Sequence, residues 1–573
     1  MKQPAPNGAT LVELLLSRAG LRPDRVAARY LFDDRVPIEL TFAEIVAESR
    51  HQAASLSDRG VTRNELVLIA LPHDPHQLTA LLGAMWLGAV PALLPYPNPR
   101  LDPVHYWTNL ERLVSASRPV ALVTDEDLAL TAGDQLSGWR SLRILTTGRD
   151  NGGEALVPAD VDPSDPALVQ FSSGSTGLQK GAVLSHRAIL AEIDGVGEFF
   201  SIGPEDRILS WVPLYHDWGL VCVALHGLVC GSGFSLLSPL DWIARPVAAC
   251  EAIDRYRATI YYQPNFAYNL MSERIKDREM EGLDLSSVRV CANGAEPCFF
   301  DSHERFARRF ARWGFRRESL SIVYGMAEVT NSVFAAGPRE PIRIDTIDRV
   351  ELAETGRARP VTDAAAKSRK ILGVGRALAG TELRIVDDER NDLPERQVGE
   401  IAIRSAAAFD GYYSNPLTTA EAVDAEGWYY SGDLGYRVGE TLFVTGRKSD
   451  VLILAGVNIY PQDIEAIAAE HPMVVAGRVA ALGIEDPELG TERLWIVVES
   501  RSESSQVRRE ISRFLRREVA RRCDVVVHRV VHAPRRWLLK TSSGKIARKR
   551  NLRRLPELLS STPTRTEPVP ANE

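Results

Sequence analysis

Short apolar runs alternate with longer amphipathic stretches along most of the chain. Near its start, LVLIALP at 66–72 is followed by QLTALLGAMWLGA at 77–89 and by PVALVT at 119–124. Such alternation is typical of buried strands connected by helices, so the sequence predicts an α/β fold. Length agrees with several domains, because 573 residues exceed what one hydrophobic core usually holds.

The pattern of predicted secondary structure changes at about Glu382. Strand-like segments (ELRIVDD, GEIAIRS, TLFVTGR) follow one another, and after Arg447 strand and helix patterns alternate again to about Pro556. We therefore predict a large N-terminal region (1–445), a small α/β domain (446–558) and a disordered tail rich in Pro, Ser and Thr (559–573).

Two uncharged stretches, 75–99 and 218–240, are long enough to cross a bilayer. Proline and glycine interrupt both, so each predicts a buried helix that runs into a buried strand, and no transmembrane segment is expected. The first residues lack the features of a secretion signal, and six dilute cysteines suggest neither disulfides nor a zinc site. These features favour a cytoplasmic protein.

Composition narrows the class of protein further. With 45% hydrophobic and 25% charged residues the chain is an ordinary globular protein, neither disordered nor fibrous. It has 68 Lys and Arg against 75 acidic residues, a formal charge of −7. That balance gives no overall attraction to nucleic acid or anionic membranes, so a basic partner surface would have to be local.

The segment FSSGSTGLQKG at 171–181 follows the apolar run ALVQF. Its small hydroxylated residues and glycines leave backbone N–H groups free to surround an anion, so it predicts a phosphate-binding loop. Its spacing differs from the P-loop, which needs Gly-Lys-Ser/Thr, and a Ser/Gly surface turn is the alternative. The candidate ligands of the phosphates are Ser172, Ser173, Gly174, Ser175, Thr176, Gly177 and Lys180.

This loop resembles the phosphate loop of the adenylate-forming superfamily, which includes acyl-CoA synthetases, non-ribosomal adenylation domains and luciferases. Further segments agree with that family in order and spacing over nearly the whole chain: YGMAE at 324–328, SGDLG at 431–435, TGRKSD at 445–450 and KTSSGK at 540–545. The resemblance implies the adenylate-forming α/β fold, with residues 446–558 closing as a mobile lid over a cleft.

The resemblance also implies the cofactors ATP and Mg²⁺. A carboxylate and the phosphates of ATP repel each other, so the reaction needs hydrogen-bond donors, a divalent ion and a cation. Glu328 and Thr176 are the candidate Mg²⁺ contacts, and Asp433 is suited to accept from both ribose hydroxyls. Arg447 would contact ribose or phosphate, and Lys545 would bridge carboxylate and phosphate. The alternatives are a surface carboxylate for Glu328, a turn-forming aspartate for Asp433 and a solvated charge for Lys545.

In the family, two segments bind the adenine. Gly294 is expected to let the base approach the backbone closely. The matching residues are Asn293, Gly294, Ala295, Glu296, Tyr324, Gly325, Met326 and Ala327.

Other strings resemble the fatty acyl-AMP ligase branch more closely than the fatty acyl-CoA ligases. They include WVPLYHDWG at 211–219, SPLDWIARP at 238–246 and QPNFAY at 263–268. The resemblance implies a hydrophobic acid as substrate and an acyl carrier protein as acceptor. His216 would gate the acyl pocket as a third catalytic residue beside Lys545 and Glu328, although a core histidine is the alternative. The implied pocket residues are His216, Asp217, Trp242, Asn265, Phe266 and Met326.

Two charged segments bear on the acceptor. The polar stretch 338–375 resembles the insertion of the acyl-AMP branch, which would restrain the lid and disfavour CoA; an ordinary surface loop is the alternative. Segment 535–554 carries nine Lys and Arg and no acid. We interpret it as a docking surface for an acidic carrier protein or as solvated surface, and expect no nucleic-acid partner because Trp537 is its one aromatic residue. An acyl-CoA ligase and a non-catalytic nucleotide-binding scaffold remain alternative functions.

Overall fold

The computed structural model describes residues 8–98, 103–139, 141–147, 156–171, 180–338, 340–362, 367–454, 457–486, 491–540 and 545–561. In these residues, no helix combines the length and apolarity needed to cross a membrane. All six cysteines lie in the described ranges, and each is a free thiol.

Helices and strands alternate as the apolar pattern predicts, which confirms the α/β class. The helices are α1 (Leu11–Leu21), α2 (Phe42–Asp58), α3 (His76–Trp86), α4 (Pro103–Ser117), α5 (Glu126–Gln135), α6 (His186–Phe200), α7 (His226–Cys230), α8 (Pro239–Ala244), α9 (Ala248–Tyr256), α10 (Asn265–Arg274), α11 (Phe300–Phe310), α12 (Arg349–Thr355), α13 (Pro416–Ala422), α14 (Pro461–Ala469), α15 (Ser505–Cys523) and α16 (Arg548–Ser561).

The strands are β1 (Val26–Leu31), β2 (Ile38–Thr41), β3 (Leu66–Ala70), β4 (Val90–Leu93), β5 (Ala121–Thr124), β6 (Arg143–Thr146), β7 (Pro166–Phe171), β8 (Gly181–Ser185), β9 (Ile208–Ser210), β10 (Phe234–Leu237), β11 (Ile260–Tyr262), β12 (Val290–Asn293), β13 (Leu320–Tyr324), β14 (Phe334–Ala336), β15 (Ile344–Asp348), β16 (Ser368–Ala377), β17 (Thr381–Val386), β18 (Gly399–Ser405), β19 (Tyr429–Val438), β20 (Thr441–Arg447), β21 (Leu452–Leu454), β22 (Val457–Ile459), β23 (Val474–Asp486), β24 (Thr491–Ser500) and β25 (Val527–Ala533).

Side-chain caps define where several helices begin. Thr10 and Glu13 form a capping box at the start of α1, and Thr41 and Glu44 form another at α2. The Ser185 hydroxyl accepts from the backbone N–H of Ala188 where β8 turns directly into α6. These bonds satisfy backbone donors that the first helical turn leaves unpaired.

The largest sheet of the described residues has fourteen strands. Its centre consists of the parallel neighbours β1, β10, β9, β11, β12 and β13. Since β12 ends at Asn293 and β13 ends at Tyr324, the two predicted adenine segments leave neighbouring strands at the same edge of the sheet. That edge is where ligands bind in open parallel sheets.

Antiparallel strands β14, β16, β20, β19, β18 and β17 continue this sheet and bring a further motif to the same region. Asp433 on β19 is the register partner of Arg447 on β20. A separate parallel sheet, in the order β4–β3–β5–β6, holds the apolar runs predicted as strands at 66–72 and 119–124.

Both uncharged stretches form the buried helix-to-strand units that the sequence predicts. The first contains α3 and then β4. The second contains a π-helix (Trp218–Leu225), α7 and then β10, all within the hydrophobic interior. Their length therefore reflects consecutive buried elements, two in the first stretch and three in the second.

Beyond residue 450 the chain builds smaller sheets of its own, β21–β22 and β23–β24–β25, packed on α14, α15 and α16. The division at residue 445 stays a prediction. Helix α16 ends at Ser561, past the predicted start of the tail at 559, and 562–573 lie outside the described residues.

Candidate active site

A bonded triad occupies the carboxyl edge of the central sheet. The Tyr324 hydroxyl donates to Oδ2 of Asp433 over 2.9 Å, and Nε of Arg447 lies 3.1 Å from Oδ1 of the same carboxylate. The negative charge of Asp433 is the main cause that raises the pKa of Arg447, so the guanidinium stays charged beside this carboxylate. One carboxylate therefore joins the motifs at 324–328, 431–435 and 445–450.

Glu328 lies in a short turn (Ala327–Val329) after β13 and meets a residue that the sequence analysis missed. The Tyr412 hydroxyl donates to Oε1 of Glu328 over 2.8 Å. The ammonium of Lys180 lies 4.9 Å from the centroid of the Tyr412 ring. Tyr412 thus connects the end of the phosphate loop to the candidate Mg²⁺ ligand. The other candidate phosphate ligands, Ser172 to Gly177, lie outside the described residues. They include Thr176, the second candidate Mg²⁺ contact.

Residues 293–296 differ in part from their expected roles. The Asn293 side chain is fully buried and donates to Oδ1 of Asn265 over 3.1 Å, with Nε2 of His303 2.8 Å away. A Cβ on Gly294 would lie 2.7 Å from a methyl group of Val323. Glycine is needed here because β13 approaches it closely, and close approach of the base to this backbone stays a prediction.

The two residues that follow are placed differently. Ala295 adopts a left-handed backbone with φ of 62°, which turns the chain after the strand. Oε1 of Glu296 accepts from the backbone N–H of Phe266. Burial raises the pKa of Glu296, an effect that the nearby charges of Lys540 and Lys545 oppose.

The segment after Tyr324 also depends on glycine. A Cβ on Gly325 would lie 1.6 Å from the carbonyl oxygen of Asn331, so no other residue fits without moving the chain. Ala327 is buried, and Met326 packs at the edge of the main hydrophobic cluster. The close return of the chain at Asn331 therefore determines the shape of this segment.

Lys545 reaches the cleft from the lid. Although part of the residue remains exposed to solvent, the cleft walls desolvate its ammonium, and this burial together with repulsion from Arg447 lowers its pKa. Three carboxylates, those of Asp433, Asp217 and Glu296, act on it in the opposite direction. The lid thus places a cation among the side chains that the motifs bring together.

His216 and Asp217 precede the π-helix and form a close pair. Nδ1 of His216 lies 2.6 Å from Oδ1 of Asp217, and the same oxygen accepts from the Trp218 N–H over 2.7 Å. Burial of Asp217 opposes its ionisation, but His216, the Trp218 N–H and the charge of Lys545 outweigh burial and lower the pKa of Asp217.

The predicted pocket residues Trp242 and Phe266 belong to an aromatic cluster. Trp242 is fully buried and stacks on Trp211 with ring centroids 3.8 Å apart, and Phe266 meets both rings edge-on. Asn265 is buried too, with Oδ1 accepting from the Phe299 N–H. In this structure Trp242 and Asn265 are therefore parts of the interior beside the site.

The basic segment 535–554 divides between two roles. Arg548 turns inward and forms ion pairs with Asp450 at 2.8 Å and with Glu465 at 2.6 Å. Burial lowers the pKa of Lys540. Arg535, Arg536 and Arg553 are exposed and remain candidates for a docking surface.

The segment 338–375 contacts the lid through buried ion pairs. Nη1 of Arg349 lies 3.0 Å from Oδ2 of Asp463, and Nε of Arg369 lies 3.0 Å from Oδ1 of Asp463. These three side chains are only 11–14% exposed. Lys367 and Asp524 form a further pair, which is exposed. This segment is therefore bound to the first turn of α14 rather than loosely solvated.

Comparison with known proteins agrees with this geometry. The family model described as AMP-binding enzyme matches residues 16–413. This chain belongs to the AMP-binding enzyme family. A protein of Caulobacter vibrioides named as an acyl-CoA synthetase is 30% identical, covering 89% of this chain and 90% of its own. The medium-chain-fatty-acid–[acyl-carrier-protein] ligase JamA of Moorena producens is 31% identical, covering 95% and 94%.

Solved structures support the same family. A chain from a study of fatty acyl-adenylate ligases of E. coli and L. pneumophila superposes with a TM-score of 0.88 at 25% identity, covering 96% of this chain and 99% of that one. The predicted adenylate-forming fold and the resemblance to this superfamily are thereby confirmed. Membership of the AMP-binding family also supports the use of ATP.

The residues of this AMP-binding enzyme fit Mg²⁺, whose use stays a prediction. Glu328 is a partly exposed carboxylate with Oε1 bonded to Tyr412, and hard oxygen donors of this kind suit Mg²⁺. The described residues contain no group of three or more His, Cys, Asp or Glu that could hold a metal. A single protein carboxylate fits because Mg²⁺ commonly takes its other ligands from phosphates and water.

Two partners in the site of this AMP-binding enzyme escaped sequence analysis. Tyr412 lies 84 residues from Glu328, in a stretch (FDGYYSN) that matches none of the motifs considered. His303 is buried beside Asn293, and burial lowers its pKa to about 4, so it is neutral near pH 7. The sequence could have indicated His303, because it is a polar residue on the inner, otherwise apolar face of amphipathic α11.

Proposed function

We propose that this enzyme activates a fatty or similarly hydrophobic carboxylic acid with ATP, releases pyrophosphate, and transfers the acyl group to the phosphopantetheine thiol of an acyl carrier protein. The observation that carries the proposal is that Lys545 lies within electrostatic reach of Asp433, Arg447 and Asp217, whose charges act on its ammonium. Lys545, a cation from the proposed lid, would therefore act in the same cleft as Asp433 and Arg447, which are suited to hold a nucleotide.

In the first half-reaction a carboxylate oxygen of the acid attacks the α-phosphorus of ATP. The new P–O bond forms as the bond to the β-phosphate breaks, and pyrophosphate leaves with its electron pair. Asp433 would hold the ribose and Lys545 would stabilise the negative charge that gathers between acid and phosphate. Glu328 would hold Mg²⁺, which neutralises phosphate charge when bound.

In the second half-reaction the sulfur of the acceptor thiol attacks the carbonyl carbon of the acyl-adenylate. The C–O bond to AMP breaks as the C–S bond forms, and the thiol proton is released. We propose that the imidazole of His216, which pairs with Asp217 just before the π-helix, orients the acyl carbonyl. We assign this positioning role to His216 because its ring is paired with Asp217, the carboxylate whose pKa the charge of Lys545 lowers.

A carrier protein is favoured over CoA by the contact between segment 338–375 and the lid. Two buried ion pairs to Asp463 restrain the lid in its present position, and the relative JamA is named for transfer to an acyl carrier protein. The relative from Caulobacter vibrioides is named for CoA, so an acyl-CoA ligase is the second candidate. A non-catalytic scaffold is disfavoured because Lys545 and Glu328 are both present.

The deciding experiment supplies the purified enzyme with ATP, Mg²⁺ and a panel of fatty acids, and then offers either CoA or a holo-carrier protein. Mass spectrometry should find acyl-carrier protein in excess of acyl-CoA. Abundant acyl-CoA instead would establish the second candidate. Absence of pyrophosphate release with every acid would establish the scaffold.

A lysine variant tests the first half-reaction. Lys545→Ala should reduce pyrophosphate release at least 100-fold while ATP binding persists, because the loss removes charge stabilisation in the transition state. Lys549→Ala is the matched control, since Lys549 lies four residues further on at the start of α16. Adenylation that is equally fast in both variants would contradict the role of Lys545.

A further inference from the structure

A buried polar joint connects three parts of the chain behind the site. Glu192 on α6 is 2% exposed, and its Oε1 accepts from the Cys222 thiol at 3.2 Å and from the Ser332 N–H at 3.4 Å. The Cys222 sulfur also lies 3.0 Å from Oδ1 of Asn331, which accepts from the Ser332 hydroxyl at 2.6 Å. None of these side chains is among the residues that the proposed reaction uses.

Each part of the joint leads directly to a motif. Helix α6 follows β8, the strand that leaves the phosphate loop. Cys222 lies in the π-helix, which begins next to His216 and Asp217. Asn331 and Ser332 follow the turn that holds Glu328, and the Asn331 carbonyl packs against Gly325. A shift at this joint would therefore change the relative positions of three site segments.

The surroundings of Glu192 suit a neutral carboxylic acid. Burial and the negative charge of Asp217 favour the neutral form and outweigh the Cys222 thiol and the Ser332 N–H, whose hydrogen bonds to Oε1 favour the ionised form. The Tyr262 hydroxyl on β11 is a further titratable group that interacts with Glu192. Its second oxygen and the Tyr262 hydroxyl are both buried without a hydrogen-bond partner among the described residues. An ionised carboxylate in this position would leave a charged oxygen unpaired, which is costly in a protein interior.

We propose that Glu192, as a neutral acid, is a positioning residue that holds the π-helix against residues 331–332 and so places His216 and Asp217 beside the acyl substrate. π-Helices are rare and often occur at functional sites, where neighbouring contacts maintain them. This inference rests on the proposed function for the nature of the substrate, but the joint itself does not depend on which acid is used.

The proposal predicts a specific pH dependence. Burial, with the Asp217 charge acting in the same direction, raises the pKa of Glu192 to about 8. Above that pH a second negative charge would form next to Asp217, loosen the joint and repel the substrate carboxylate. The KM for the acid should then rise at least threefold between pH 7 and pH 9, whereas the KM for ATP should change less than twofold.

Glu192→Gln and Glu192→Ala separate positioning from simple packing. Glu192→Gln keeps a neutral hydrogen-bonding group, so its KM for the acid should be close to wild type at pH 7 and stay constant to pH 9. Glu192→Ala should raise that KM about tenfold at both pH values. Any pH effect of Lys545 is common to wild type and Glu192→Gln, and the comparison therefore cancels it.

Two results would overturn the proposal: equal KM values for Glu192→Gln and Glu192→Ala, or an alkaline rise in KM that persists in Glu192→Gln. If Glu192→Ala does not fold, Cys222→Ser and Cys222→Val replace it, since serine retains the hydrogen bond and valine does not. A KM for the acid that is equal in these two variants would likewise overturn it.

A stability measurement keeps the joint testable if no fatty acid is a substrate. Folded Glu192 retains its proton to about pH 8, whereas unfolded glutamate releases it near 4.5, so folded protein binds more protons between these values. Wild-type stability should consequently fall over this range relative to Glu192→Gln. A melting-temperature difference between the two proteins that is constant from pH 5 to pH 8 would refute the neutral acid, whatever the substrate.

Discussion

At the scale of single residues, Tyr412 is the most informative contact. Burial and the charge of Glu328 raise the pKa of Tyr412, so its hydroxyl stays protonated and donates to that carboxylate. Hydrogen bonds to charged groups contribute about 1.5–3 kcal/mol. Tyr412→Phe should therefore lower the adenylation rate about tenfold, measured by pyrophosphate release, and should make the rate more dependent on Mg²⁺ concentration.

The neighbouring Tyr413 provides the matched control for that prediction. Tyr413 is partly buried, whereas Tyr412 is buried, and Tyr413 packs against the hydrophobic cluster around β3 and β5. Tyr413→Phe should retain a nearly normal rate and the wild-type response to Mg²⁺. A Tyr412→Phe enzyme that behaved in the same way would show that its contact with Glu328 has no role in the reaction.

At the scale of elements, ion pairs hold segment 338–375 against α14. Asp463 is shared by Arg349 and Arg369, and all three are nearly buried. Removing one partner from a buried ion pair typically costs about 3–5 kcal/mol, because the remaining charge is left uncompensated. Asp463→Asn should therefore loosen the lid, raise protease sensitivity at 448–450 and increase the yield of acyl-CoA relative to acyl-carrier protein.

The exposed pair between Lys367 and Asp524 is the control for this element. Its side chains are 42% and 66% exposed, and exposed pairs contribute less than about 1 kcal/mol. Lys367→Ala should leave proteolysis and product ratio close to wild type. Equal product ratios in Asp463→Asn and wild type would show that these ion pairs do not influence whether CoA or the carrier protein is the acceptor.

At the scale of the whole molecule, charge is divided unevenly along the chain. Residues 446–558 contain 22 Lys and Arg against 14 Asp and Glu, a net charge of +8, so the remainder carries −15. Transfer to an acidic carrier protein should therefore slow about tenfold or more as salt is raised from low to high ionic strength, since exposed charges are screened. Adenylation, measured by trapping the acyl-adenylate with hydroxylamine, should change little. An equal salt dependence of both steps would contradict docking by charge.

Much of this architecture could be predicted because its signals are local. Apolar runs of five or six residues predicted β3 and β5, and the breakers in the long uncharged stretches predicted helix-to-strand units. Each of these depends on neighbours along the chain, where the pattern of polarity is directly informative.

Roles that depend on distant neighbours could not be predicted in this way. Gly294 serves the approach of Val323, and Trp242 stacks on Trp211 instead of facing open space. Glu192 appears in the sequence as one more acid in an amphipathic helix, and its three-way joint to Cys222 and Ser332 exists only once the sheet is assembled.

The sequence by itself determined the kind of elements, their order and the charged groups available for chemistry, because these follow from side-chain polarity at short spacing. Only the tertiary structure decided which charges meet. Strand order brings Asp433 to Tyr324 across 109 residues, and the packing of residues 446–558 brings the charge of Lys545 within reach of Asp217. Contacts between residues so far apart in the sequence depend on how the sheets and helices pack. A local pattern of polarity carries no information about that packing.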